Sequence, residues 1–122
     1  MDIDPRSFSV TLVTAPDIEV ARKIAQALLH ARLVACANLL PRVESFYWWE
    51  GKLEHAEEVM IVLKSTAALS EELKLAIRAH HPYTTPEIIS LSLADGSENY
   101  LRWILESVAS KSTLDPECKG LT

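Results

Sequence analysis

Basic residues are in the minority in this chain: 12 lysines and arginines stand against 17 aspartates and glutamates, for a formal net charge of −5. The few basic residues are scattered with acids among them, so no basic face forms of the kind a phosphate backbone requires. That argues against nucleic acid as a partner. Long apolar runs are lacking too. Stretches such as Val59 to Leu63 are far too short to span a bilayer, and Met1-Asp2-Ile3-Asp4-Pro5 has neither the basic nor the apolar region of a signal peptide. No membrane is expected as a partner, and a reducing, cytoplasmic setting is the default. Cysteine is sparse: Cys36 and Cys118 sit in unlike surroundings and make no disulfide or zinc pattern. G-x-S-x-G, a Walker loop, H-E-x-x-H and Cys-x-x-Cys are all missing. Nothing assembles a nucleophile, its base and an oxyanion hole, so the chain is not expected to be an enzyme.

What is present is an ordinary globular composition, 48% apolar and 24% charged over 122 residues, which suits one domain with one core. Phe8, Val10 and Leu12 alternate with Ser9 and Thr11 as a strand. After Pro16-Asp17, the residues Ala21, Ile24, Ala25, Leu28 and Ala31 recur at helical spacing and make one buried stripe. Leu33 to Trp49 is rich in β-formers but holds Pro41, which cannot donate to a ladder, so a bulge or kink is expected there. Glu50-Gly51-Lys52 reads as a tight turn with Gly51 at positive φ, and the chain returns through Leu53 and Val59 to Lys64 as a long hairpin. Thr66 can cap a second helix striped by Leu69, Leu73, Ala76 and Ile77, which Pro82 ends. Ile89, Leu91 and Leu93 form a fourth strand. A third helix carries Leu101, Ile104, Leu105 and Val108.

This order predicts an α+β fold, a ferredoxin-like βαββαβ sandwich with an extra C-terminal helix. It forms a single domain over residues 5–110, and residues 111–122 make a polar, flexible tail. Both main helices cover the same sheet face. The other face, with Trp, Tyr and aliphatic positions, needs a cover that the third helix supplies only in part. Self-association is the expected remainder, with the long hairpin reaching across.

Four groups of residues carry possible chemistry. His80-His81-Pro82-Tyr83 with Pro86-Glu87 packs two imidazoles, a phenol and a carboxylate where the second helix stops. Adjacent helical residues point about 100° apart and do not converge on one ion, but His81 precedes proline and is pushed out of helical φ/ψ. The pair is therefore either a metal site, for which imidazole suits Cu(II), Zn(II) or Ni(II), or a helix terminus with His80 against the dipole and His81 in a loop pocket. Cys36 is a buried inert thiol or a soft ligand for Cu(I), with no cation near it in the local sequence. Phe46-Tyr47-Trp48-Trp49 places aromatics on both faces of its strand, as suits a strand held between subunits better than an open stacking platform. Glu50, Glu54, Glu57 and Glu58 read as a solvated rim without EF-hand spacing.

Ala35-Cys36-Ala37-Asn38, Tyr47-Trp48-Trp49-Glu50-Gly51-Lys52 and His80-His81-Pro82-Tyr83 with Pro86-Glu87 resemble the signature blocks of the CutA divalent-cation tolerance family. Thr14-Ala15-Pro16 and Tyr100-Leu101-x-Trp103 extend the resemblance over nearly the whole domain. It implies a cytoplasmic homotrimer in which edge strands of the long hairpins pair between subunits, with a role in tolerance of copper and other divalent metals. It also implies copper ligation by the histidines matching His80 and His81 and by a cysteine on the first strand. Here that strand position is Val13, so the thiol is absent, while Cys36 matches the cysteine of the A-C-x-N block. The trimer is similar to that of PII-type signalling proteins, which bind effectors between subunits. Three readings follow: a divalent-metal binder using His80 and His81 with Glu87 or Cys36, a sensor whose intersubunit cleft is lined by Trp49, Lys52, Tyr83 and Glu87, and a stable trimeric scaffold for partner proteins.

Overall fold

Alternation and helical stripes become seven main elements in the computed structural model, which describes residues 3–110. They are β1 (Phe8–Ala15), α1 (Ile18–His30), β2 (Cys36–Trp49), β3 (Lys52–Thr66), α2 (Ser70–His80), β4 (Ile88–Ser92) and α3 (Glu98–Ser107). The strands form one antiparallel sheet in the order β2-β3-β1-β4. That is the ferredoxin-like arrangement the element order predicts. The polar tail expected over 111–122 lies outside the described residues.

Asp17 starts α1 by accepting a hydrogen bond from the Val20 N–H at 2.9 Å, satisfying one of the donors a helix start leaves open. Ala21, Ile24, Ala25 and Leu28 are buried as the stripe predicts, whereas Ala31 is the C-cap and lies exposed. Thr66 does not cap α2. It precedes a single 3₁₀ turn (Ala67–Leu69) without a side-chain bond, and the α-helix begins at Ser70. α2 ends where the following proline demands: His81 has φ −95° and ψ 134°, extended as a pre-proline residue must be.

The two faces of the sheet differ. Val13 and Ala15 from β1 and Val59, Ile61 and Leu63 from β3 pack with α1 and α2 into the main core. On the opposite face, α3 brings Leu101 and Ile104 onto Phe8 in a second, smaller cluster. Beyond that cluster Leu40, Ile89 and Leu91 keep about half their surface exposed, at 46%, 49% and 50%. A patch of aliphatic residues on one sheet face is the kind of surface that associates.

The hairpin outruns the sheet. β1 pairs with β3 only from Val59 to Thr66, so the chain from Val43 to Glu58 is a two-stranded ribbon overhanging the end of β1. The irregularity expected at Pro41 is present: β2 advances from Leu40 to Val43 while β3 advances from Met60 to Glu58, one residue fewer. Arg42 takes up the extra residue at φ 61°. Such a bulge swaps which face later side chains occupy, and so it sets the orientation of the aromatic half of β2. Glu50 (φ 50°) and Gly51 (φ 77°) close the ribbon in the two-residue turn whose positive φ angles suit the twist.

Candidate functional site

The overhanging ribbon, the end of β1 and the segment after α2 enclose a groove of about 720 Å³. Its walls take Phe46, Tyr47 and Trp49 from β2, Thr14 from β1, Glu58 from β3, and Tyr83 and Glu87 from the segment between α2 and β4. The sequence separates these residues widely. The bulge, the long hairpin and the pre-proline break at His81 bring them together.

His81 positions that segment. Its ring is buried, at 8% exposure. Nδ1 faces the backbone N–H of Tyr83 at 3.1 Å and must accept from it, so Nε2 carries the hydrogen and donates to the Thr14 carbonyl at 2.7 Å. Both nitrogens are occupied by backbone groups, and the one ring lone pair, on Nδ1, is already taken by the Tyr83 N–H in this arrangement. His80 differs in every respect. It is exposed, its Nδ1–H donates to the Ala76 carbonyl at 2.9 Å, and the tautomer that follows puts a free lone pair on Nε2. A fixed Nδ1–H with an open Nε2 is how a ligating histidine is commonly oriented. The expected histidine pair is thus divided between an open imidazole and one that holds the loop to β1.

Tyr83 tilts against the His81 ring, with centroids 4.8 Å apart, and its hydroxyl donates to Glu58 Oε2 at 3.0 Å. Burial, and then this bond to Glu58, push the phenol up to about 12. Glu58 was expected on a solvated rim but is only 7% exposed. Glu87 is pushed above the usual carboxylate range, by burial first and by the charge of Glu58 second. Sequence alone gave no sign of this pairing. The signal lay in the register, which places Glu58 opposite Val43, at the root of the ribbon.

The other expected site residues lie elsewhere. Lys52 pairs with Trp49 at the far side of the turn and does not line the groove. Cys36 is paired with Lys64, whereas the histidine loop reaches Thr14, the partner of Met60 further along the sheet. The thiol is partly exposed and donates towards Asn38 Oδ1 at 3.5 Å. Lys64, supplied across the ladder, lies 3.8 Å from Sγ and also donates to Asn38. The cation that the local sequence lacks therefore arrives from β3. Tyr100 of α3 joins the cluster, its phenol raised by burial and by the neighbouring Cys36. Among the described residues no three His, Cys, Asp or Glu side chains converge as a metal site, so these residues do not by themselves form a closed cage for an ion.

Comparison with known proteins agrees with this architecture. The family model for the CutA1 divalent ion tolerance protein matches residues 9–107. The divalent-cation tolerance protein CutA of Thermus thermophilus is 43% identical over 98 residues, covering 80% of this chain and 95% of that protein. Its solved structure superposes with a TM-score of 0.82 at 41% identity, over 84% of this chain and 99% of the other. A structure described as the periplasmic divalent cation tolerance protein CutA from Archaeoglobus fulgidus gives a TM-score of 0.81 at 38% identity, again over 84% of this chain and 99% of the other.

Proposed function

The chain belongs to the CutA1 family of divalent ion tolerance proteins, and from that premise we propose that it works as a cytoplasmic homotrimer that meets divalent cations, copper among them, through His80. The observation that carries the metal reading is the free Nε2 of His80, held by the Nδ1–H bond to Ala76. A single exposed imidazole binds a divalent ion weakly and reversibly, and copper the most tightly by intrinsic order. Such an ion is cargo or signal rather than a structural cofactor. Glu87 and Cys36 lie with different partners from His80, Glu87 beside Glu58 and Cys36 beside Lys64, and are not needed for this contact.

Support for the trimer is the exposed aliphatic patch of Leu40, Ile89 and Leu91 together with two open sheet edges, β2 and β4. An open edge beside an apolar face is costly to leave in water. A partly exposed free thiol at Cys36 fits a reducing compartment, and among the described residues no helix is long and apolar enough to cross a membrane. Calorimetric titration of Cu(II) and Zn(II) into wild type and His80→Ala tests the metal contact, with sedimentation equilibrium for the trimer. Equal copper affinity in the two proteins, or a monomer at micromolar concentration, removes the corresponding part.

The groove favours a second reading, a sensor that binds a small effector between subunits. A concave site of about 720 Å³ with aromatic walls and a few converging polar groups is the usual form of a small-molecule site. The scaffold reading has no comparable feature behind it.

A further inference from the structure

The groove is short of positive charge. Glu44, Glu58 and Glu87 all line it, and among the described residues no lysine, arginine or histidine does. Glu58 is 7% exposed and has one hydrogen bond, from the Tyr83 hydroxyl, but no cationic partner among the described residues. Buried carboxylates are normally paired with a cation. Among the described residues the ion-pair partner of Glu44 is the exposed His55 imidazole, at 3.7 Å on the paired strand β3. The remaining walls are rings: Tyr47, Trp49 and Tyr83 present π faces or edges beside the acids. Aromatic faces attract cations within about 6 Å of their centroids, more strongly where water is excluded.

Acids and rings around a cavity of this volume select an organic cation. A hard divalent ion such as Ca²⁺ or Mg²⁺ prefers several oxygen ligands at close range, and a convergence of three donors is missing among the described residues. An anion would face the carboxylates of Glu58 and Glu87, with no lysine, arginine or histidine of the described residues lining the groove to offset them. We propose that the groove binds a small organic cation, an ammonium or guanidinium group seated between Glu58 and Glu87 with its apolar part against Trp49 and Tyr47. This rests on the sensor reading above and names its ligand class. The anionic effector suggested by Lys52 loses its support, because Lys52 stands outside the groove.

The full-length protein can be titrated with benzyltrimethylammonium, with benzyl alcohol as the neutral probe and benzylphosphonate as the anionic one, following tryptophan fluorescence and heat. Saturable binding of the ammonium alone is expected, weakening as salt rises. Glu58→Gln keeps an acceptor for Tyr83 and removes the charge, so the dissociation constant should rise at least tenfold. Glu87→Gln provides the same test if the first variant folds poorly, with circular dichroism checking both. Comparable binding of the alcohol or the phosphonate overturns the cation proposal while leaving an effector groove in place. An ammonium affinity unchanged in both variants also overturns it. Binding of none of the three probes overturns the proposal and the sensor reading together, and a groove already filled by a basic side chain of a second copy gives that same blank.

Discussion

The two neighbouring histidines should fail in opposite ways when removed. Truncating His81 to alanine takes the acceptor from the Tyr83 N–H and the donor from the Thr14 carbonyl. Each buried polar group left unpaired costs roughly 1–3 kcal/mol, and the lost ring leaves a void beside Tyr83. The two groups alone sum to roughly 2–6 kcal/mol for His81→Ala, and the void adds to that. At about 4 °C of Tm for each kcal/mol in a domain of this size, the melting point should fall by about 10 °C or more. His80→Ala removes one hydrogen bond on an exposed helix end and substitutes a better helix former, so its effect should stay within about 0.5 kcal/mol.

Guanidinium and thermal denaturation at one fixed protein concentration measure both effects, since unfolding of an oligomer depends on concentration. Copper titration of the same variants, below the melting point of each, supplies the other half of the test. His80→Ala should keep its stability and lose at least tenfold in Cu(II) affinity, while His81→Ala should do the reverse. A His81→Ala protein as stable as wild type would mean that the ring does not hold the loop. A folded His81→Ala that no longer binds copper, beside a His80→Ala that does, would refute the assignment of the open nitrogen.

Three further outcomes follow from the groove and the sheet face. Tyr83 is raised from 10.0 to about 12, so between those values the unfolded chain releases a proton that the folded one keeps. Stability should therefore fall as pH rises through that window and fall less in Tyr83→Phe, with tyrosinate absorbance showing one late phenol fewer in the variant than in wild type, Tyr100 staying raised in both. Glu87 is also raised in the folded state, but being a carboxylate it weakens the fold when ionised: Glu87→Gln should be the more stable protein at pH 7, by urea midpoint, and lose that advantage at pH 4. Equal midpoints at pH 7 would show that neither burial nor the charge of Glu58 penalises the ionised carboxylate. Leu91→Asp places a charge in the exposed aliphatic patch and should convert the proposed trimer to monomers in the ultracentrifuge without altering far-UV circular dichroism; an unchanged mass would show that this patch is not the interface.

How much of this could be read beforehand depends on whether a feature is local. The α1 stripe, the kink at Pro41, the turn at Gly51 and the end of α2 before Pro82 are each fixed by a few adjacent residues, and each is present. The cap predicted at Thr66 failed for an equally local reason, because a 3₁₀ turn intervenes before α2 begins. The groove was different. Glu58 looks like one more acid on a rim until the register places it at the ribbon's root, where the side chain from Tyr83 can reach it. Lys64 reaches Cys36 only across a ladder. The histidine pair was ambiguous because two adjacent imidazoles carry no record of what their nitrogens face. The backbone groups of Tyr83 and Thr14 decide that for His81, and the Ala76 carbonyl decides it for His80. A single break of helical geometry before Pro82 thus does two things: it leaves one imidazole open to solvent, and it turns the next inward to build the wall of a groove whose buried Glu58 has no cationic partner among the described residues.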